Sequence, residues 1–431
     1  PIGIFTDRDL RNKVVAAGIC PDQLKVRDVM NSPLSVIGEE ELLYQALYRM
    51  SRQKIHRLGV VDPAGKLSGI ITDTDILRLQ AHSPHQLVLD IEKAQHLDDL
   101  KTLHARIQAL VTHLSGTGIP IRDLVRLIAH LNDQIVVRLI GLLRAEWFDD
   151  IDENSFAFLV LGSEGRGEQT LATDQDNAIV YADDLSPEQV KRIEEFSLSL
   201  IDGLIAIGVP ACKGGIMAKN ADWRRSLGDW QKQLARWMGT PTPDNILACS
   251  TFIDLRTAYG SPRFEEALKV QIYGQSDSNN LFLLRMVEGG LRFTPPIGWF
   301  GKIKGESGGE HSGELEIKKA GIFAITDGIK ALAVQNKMLS GSTLQRLEAL
   351  RAAGIVDERD SAALDEGFRF LVLMRLRGQL QDIAEGREPD NYIRLDRLNV
   401  MEKGRLKIAL TSVGKFQEFL KHHFGLHLVR G

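Results

Sequence analysis

Phe156-Ala-Phe-Leu-Val-Leu-Gly-Ser-Glu-Gly-Arg-Gly-Glu-Gln-Thr-Leu-Ala-Thr-Asp-Gln-Asp-Asn-Ala-Ile-Val-Tyr181 lies near the middle of the chain. It opens on an apolar run, Phe156 to Leu161, long enough for a buried strand. A turn with Gly162, Gly165 and Gly167 follows, then a polar segment, then a second strand-like run ending at Tyr181. Glycines after a strand let backbone amides approach a ligand closely, and a helix starting there aims its N–H groups at an anion. On an extended chain, Asp174 and Asp176 share a face, so both carboxylates project into one site. Such carboxylates repel, and one pKa rises unless a cation is bound. A pair of divalent metals roughly 3.5–4 Å apart is the common answer in phosphoryl-transfer enzymes. The alternative is a solvated turn with capping aspartates. Two other phosphate loops fail: Glu168-Gln169 stands where a P-loop needs Lys-Ser/Thr, and Thr170 spoils the dinucleotide fingerprint.

The glycine-serine turn followed by Asp-x-Asp resembles the nucleotidyltransferase superfamily that includes DNA polymerase beta. More narrowly, Gly-Ser-Glu-Gly-Arg-Gly-Glu and Thr-Asp-Gln-Asp-Asn resemble the bacterial protein-PII uridylyltransferases and the related signal-transduction nucleotidyltransferases. The resemblance implies an NTP substrate and uridylyltransferase-like transfer of a nucleoside monophosphate to a hydroxyl acceptor, either a protein or a small molecule. On this reading Asp174 and Asp176 hold Mg2+, with two metals expected. The amides of Gly162 and Ser163, with the Ser163 hydroxyl, cradle the pyrophosphate. Arg166 and Glu168 are counted with the nucleotide-binding set, a mutual salt bridge being the alternative for Arg166. Lys213, in the glycine-paired loop Val209 to Met217, is a further nucleotide contact, or part of a plain turn.

A lone acid interrupts the apolar run Ile246-Leu-Ala-Cys-Ser-Thr-Phe-Ile-Asp-Leu-Arg256, read as a buried strand. Such a carboxylate is costly without a partner. Asp254 is therefore the candidate third metal ligand and proton acceptor, or else half of a core pair with Arg256 or a lysine. Ile-Asp-Leu-Arg also resembles the third-acid strand of the related transferases.

Outward from this centre, Gly3-Ile-Phe-Thr-Asp-Arg-Asp-Leu10 recurs as Gly69-Ile-Ile-Thr-Asp-Thr-Asp-Ile76. With an amphipathic helix over Glu41 to Gln53 between the copies, residues 1–80 resemble tandem CBS regulatory modules, the first truncated. In that family the Thr and Asp contact adenine nucleotides, which implicates Thr6, Asp9, Thr72 and Asp75. T-x-x-D is equally a helix cap. Homodimerisation through these modules is expected from the resemblance alone.

Residues 81–150 read as a helical connector. His85 to Leu114 is one segment, Ser115-Gly-Thr-Gly118 a break, and Pro120 the start of a helix with Ile121, Leu124, Ile128, Leu131, Ile135, Leu139 and Leu142 on one face. Residues 151–300 form the transferase domain, with a helix from Ser186 to about Ile207. Trp223, Trp230 and Trp237 fall seven apart, as one helix stripe, and Arg224 and Arg225 are weak phosphate candidates. Residues 301–431 read as helical, with helices at Ile322–Val334, Ser342–Ala353, Asp360–Glu385 and Leu406–Phe424, and resemble the C-terminal domain of the related nucleotidyltransferases, which implies a substrate-binding domain. The expected fold class is thus α+β multidomain: CBS-type α/β module, helical connector, polymerase-beta-like domain with mixed sheet, and C-terminal helical bundle.

Composition sets the outer bounds. A net charge of −4 speaks against nucleic acid as a partner. Three scattered cysteines (Cys20, Cys212, Cys249) suit a reducing cytoplasm. No apolar run nears the roughly 20 residues of a membrane helix. Starting at Pro1 inside a motif, the chain reads as part of something longer. No His-Asp dipeptide occurs, so the phosphohydrolase of complete uridylyltransferases is not expected. The rival to an enzyme is a non-catalytic nucleotide-sensing protein working through the CBS pair. Phosphoryl transfer or hydrolysis on the same acids is a weaker third reading.

Overall fold

A computed structural model describes residues 2–75, 84–115, 119–171, 174–278, 280–298 and 302–426. The expectations on Ile76, on the break at Gly116 to Gly118 and on Ala172 and Thr173 fall outside them. The chain divides into two units, Pro1–Leu87 and Val88–Gly431.

In the first unit a three-stranded sheet pairs β1 (Val36–Gly38) parallel with β2 (Arg57–Val61), and β2 antiparallel with β3 (Leu67–Thr72). Helix Leu43–Gln53 closes a small core of Ile37, Ala46, Met50 and Leu58. Strand, helix, strand and strand thus follow one another as in a CBS-type α/β module, and the helix expected after them lies largely outside the described residues.

The second unit is built on a mixed sheet ordered β6-β5-β4-β7. The decisive apolar run becomes β4 (Phe156–Val160), buried at every residue, and β5 (Asn177–Tyr181) lies antiparallel to it, Phe156 opposite Tyr181. β6 (Arg224–Ser226) runs parallel to β5, and β7 (Arg256–Gly260) antiparallel to β4. Phe156 and Phe158, at 0% and 1% exposure, each contribute about 1.5–3 kcal/mol by leaving water. Helix Pro187–Ile207 starts where read, Ser186 accepting from the Gln189 amide and Gly208 closing the end at φ +112°.

Three element readings need correction. Residues 85–114 are two helices, Pro84–Lys93 and Leu97–Ser115, because Asp99 accepts from the amides of Gln95 and His96 and starts a new helix there. The run 246–256 is no strand: Thr242 caps and Pro243 opens helix Pro243–Ile253, with Asp254 as its C-cap, and only Arg256 onward is extended. Trp223 precedes helix Leu227–Gly239, although its ring stands within about 6 Å of both Trp230 and Trp237. Arg224 and Arg225 face Glu194 and Asp222.

Helix Ile121–Trp147 buries Leu124, Ile128, Leu131, Ile135 and Leu139. It packs with Leu97–Ser115 and both lie against Pro187–Ile207. The C-terminal helices are Phe323–Gln335, Thr343–Ala352, Glu358–Ala384 and Val400–His423, close to the expected bounds. A two-stranded ribbon, β8 (Glu314–Glu316) with β9 (Tyr392–Arg394), flanks them. No described helix is long and apolar enough to cross a membrane.

Candidate active site

The glycine turn is shaped by two close approaches. β4 leads into Leu161, whose amide donates to the Asp176 carbonyl at 2.9 Å. Gly162 then adopts φ +53°, and a Cβ there would lie 3.1 Å from Asp176 Oδ2. Within the single helical turn Gly162–Gly165, a Cβ on Gly165 would fall 1.8 Å from the Asp254 carbonyl oxygen. Both positions demand glycine.

Gln175 bridges to Ala211 in extended conformation, and its buried side chain turns inward to the Val209 carbonyl and the Asn177 amide. Its neighbours Asp174 (exposed) and Asp176 (half-buried) therefore take the other face. Both line a cavity of about 780 Å³, together with Ser163, Lys213, Lys318 and Arg375. Burial pushes the Asp176 carboxyl up from its ordinary value; the Cys212 thiol and Lys318 pull it back, and Asp174 pushes it up again. Two oxygen donors, one partly desolvated and both repelling, fit a hard divalent cation. Among the described residues no group of three His, Cys, Asp or Glu side chains is placed to hold a metal.

Two cations of this cavity were missed in the sequence. Burial drives Lys318 down to about 8, Arg375 and Arg166 pushing the same way while Asp176 and Asp174 oppose. Arg375, 6% exposed, donates to Asn391 at 2.7 Å, and burial lowers it to about 10. The signal was there: Arg375 occupies an inward position of an otherwise apolar helical stretch, where a charge is expensive.

The other candidates do not line this cavity. Asp254, fully buried, has Oδ1 on Arg346 at 2.5 Å and Oδ2 on Arg166 at 2.5 Å and Lys330 at 2.8 Å. Burial alone would raise its pKa, but the three cations override that and hold it well below the usual carboxylate range. The sequence placed it on a strand reaching the metal site; the helix end aims it at these cations instead. Its lysine-pair alternative is realised through Lys330, while Arg256 goes to Asp133 at 2.9 Å. Arg166 also holds Glu168 at 2.7 Å, the salt bridge foreseen as its alternative. Glu168 in turn accepts from the Thr343 amide at 2.6 Å and hydroxyl at 3.0 Å, fastening the turn to the start of helix Thr343–Ala352.

In the first unit, Thr6 with Asp9 and Thr72 with Asp75 form matching caps. The Thr hydroxyls donate to the carboxylates at 2.6 and 2.7 Å and accept from the Asp amides at 3.3 and 3.1 Å.

Comparison with known proteins matches three family models. Residues 26–82 match the CBS domain, residues 105–244 "Putative nucleotidyltransferase DUF294", and residues 280–424 "Putative nucleotidyltransferase substrate binding domain". Among curated proteins, an uncharacterized protein of Methanopyrus kandleri is 39% identical over 95 residues, 22% of this chain and 48% of that protein. Inosine-5'-monophosphate dehydrogenase of Mycobacterium tuberculosis is 29% identical over 159 residues, 35% of this chain and 27% of that one. Arabinose 5-phosphate isomerase of Francisella tularensis is 35% identical over 79 residues, 18% and 24% respectively. The chain spans no more than about half the length of these three.

Proposed function

For this chain, which joins a CBS domain to a nucleotidyltransferase domain and its substrate-binding domain, we propose Mg2+-dependent transfer of a nucleoside monophosphate from an NTP to a hydroxyl acceptor, uridylyl transfer being the variant the motif resembles. The carrying observation is one cavity holding Asp174 and Asp176 on one wall with Ser163, and Lys318 and Arg375 also lining it. Asp174 and Asp176 would hold the metal, which when bound neutralises charge on the triphosphate. Ser163, with the Gly162 amide, would cradle the phosphates, and Lys318 and Arg375 would meet their negative charge. Lys213 lines the same cavity and would reach the nucleotide. Asp254, held at low proton affinity, serves by fixing Arg166 and the turn rather than by accepting a proton. The acceptor, protein or small molecule, would come from the side of residues 280–424.

The test is incubation of the protein with each labelled NTP, Mg2+ and a cell extract, following label and pyrophosphate. Asp176→Asn should abolish transfer while leaving the melting temperature unchanged or higher, since it removes a desolvated charge. Transfer surviving in that variant would remove the assignment. One observation favours the rival reading, a nucleotide sensor without turnover: both Asp254 oxygens are taken by cations, leaving Asp174 and Asp176 without the third acid expected beside them. It predicts ligand-dependent stabilisation with no pyrophosphate.

A further inference from the structure

The glycine turn also walls a second cavity, about 620 Å³, that shares no lining residue with the carboxylate cavity. Gly165, Arg166 and Gly167 supply one side. Its ionisable lining is Arg126, His130, Arg166, Arg256, Lys269 and Arg346 with the carboxylates of Asp133 and Glu265; Arg256 pairs with Asp133, Lys269 with Glu265, and Arg166 and Arg346 share Asp254. Arg126, exposed on helix Ile121–Trp147, makes no ion pair among the described residues. Arg346 is only 3% exposed, and its Nε has no hydrogen-bond partner. A buried guanidinium N–H without an acceptor is an unmet demand for one. The cavity also takes in Ser342 and Gly341, at the amino end of the ten-residue helix Thr343–Ala352, whose Thr343 amide is held by the Glu168 carboxylate.

A smaller compartment of about 310 Å³ adjoins it, the two sharing Arg126, Gly167, Ser342 and Gln345 as walls. Its remaining lining has an apolar face, Ile121, Val125, Leu344, Phe368 and Val372, edged by five charged side chains, Arg122, Glu168, Glu348, Asp365 and Arg369. An arginine-rich compartment next to one with an apolar face suits a molecule with a multiply charged head and a small hydrophobic body. Arginine forks match phosphate oxygens in number and geometry.

We infer that the joined compartments form a ligand site, separate from the carboxylate cavity, for a small phosphomonoester, its phosphate among the cations and its apolar body against Phe368 and Val125. The site shares the glycine turn with the proposed transfer centre, so a bound ligand would reach Arg166 without entering that centre.

The experiment is calorimetric titration of the full chain carrying Asp176→Asn, without divalent cation, using phenyl phosphate and separately inorganic phosphate. Because no turnover is read, the outcome is independent of whether the chain transfers nucleotide. Phenyl phosphate should bind, about tenfold more tightly than inorganic phosphate through its buried ring. Arg126→Glu and Gln345→Glu should each weaken it about tenfold by placing a negative charge at the junction. Gln345→Glu keeps a carbonyl-type oxygen for the Ser342 amide, now 2.9 Å from Gln345 Oε1, so the helix cap survives in a folded variant. Absence of binding, equal affinity for the two probes, or affinity unmoved by both substitutions would overturn the site.

Discussion

Asp176 and Asp254 are carboxylates that both touch the same glycine turn, yet their surroundings separate them. Asp176 is raised by burial and has a Cys212 thiol and a cavity for company; Asp254 is locked among Arg166, Lys330 and Arg346. Substituting them should therefore give opposite phenotypes. Asp254→Asn leaves three cations with a neutral partner in the interior, at a cost of about 3–5 kcal/mol, readable as a fall in the denaturant midpoint. A variant as stable as the parent would show that the network is not structural. Titration sets a further residue, Glu164, against Asp254. Burial first, then the charge of Asp133, raises Glu164 from 4.5 to about 8. The folded chain thus holds a proton that the unfolded chain releases, and stability should fall as pH rises between about 4.5 and about 8. Asp254 has the reverse sign: its lowered pKa contributes stability above the ordinary carboxylate range that is lost as pH falls. Melting curves against pH should show the alkaline-side decline in the parent and a flatter one in Glu164→Gln. The pairing of Asp174 with Asp176 was legible because period two is local. That a buried Asp254 needs partners was legible too, but their identity was not, since Arg346 lies 92 residues away along the chain.

Among the elements, helix Pro243–Ile253 shows why short apolar runs mislead. Eight consecutive residues suit a buried strand or a buried helix equally, and periodicity cannot arbitrate. Thr242-Pro243-Asp244 in front of it was the helix-start signal that could have decided the matter. Where a cap was read, at Ser186, the helix begins as expected, and the helix read from Ser342 has that residue as its cap. Strands β4 and β5 were likewise legible, being continuous apolar runs with turn residues between, whereas β6, which makes the sheet mixed, was read as part of a tryptophan helix stripe. The connection between the glycine turn and helix Thr343–Ala352 was not, resting on one carboxylate meeting one backbone amide across the chain. Thr343→Val removes the hydroxyl bond to Glu168 but keeps the amide bond, and should cost about 1 kcal/mol. Glu168→Ala removes both bonds and the Arg166 partner, and should cost several times more. Thermal unfolding of the two variants checks the order; equal losses would mean that the carboxylate carries little of the link.

The whole molecule combines two independently described units, and its domain content was open to reading because each carries its own signature: a repeated T-D-x-D in one, a glycine turn before D-x-D in the other. In the CBS unit both Thr–Asp pairs are spent on capping boxes. Any adenine nucleotide using Thr72 and Asp75 must share them with the cap. Thr72→Ala should lower stability by about 1 kcal/mol and, if the pair also serves a ligand, weaken AMP binding measured by calorimetry. Lost stability with unaltered AMP affinity would assign Thr72 to the cap alone.

The carboxylate of Asp254 bears on how the chain is made. A ribosome releases residue 254 long before residues 330 and 346, so during synthesis the acid has only Arg166 to meet it. Until the last of these cations emerges, closing the turn would mean sealing a charge away half-answered. On this order the turn should close only after residue 346 has emerged, and a nascent chain cut short before that residue should keep it open.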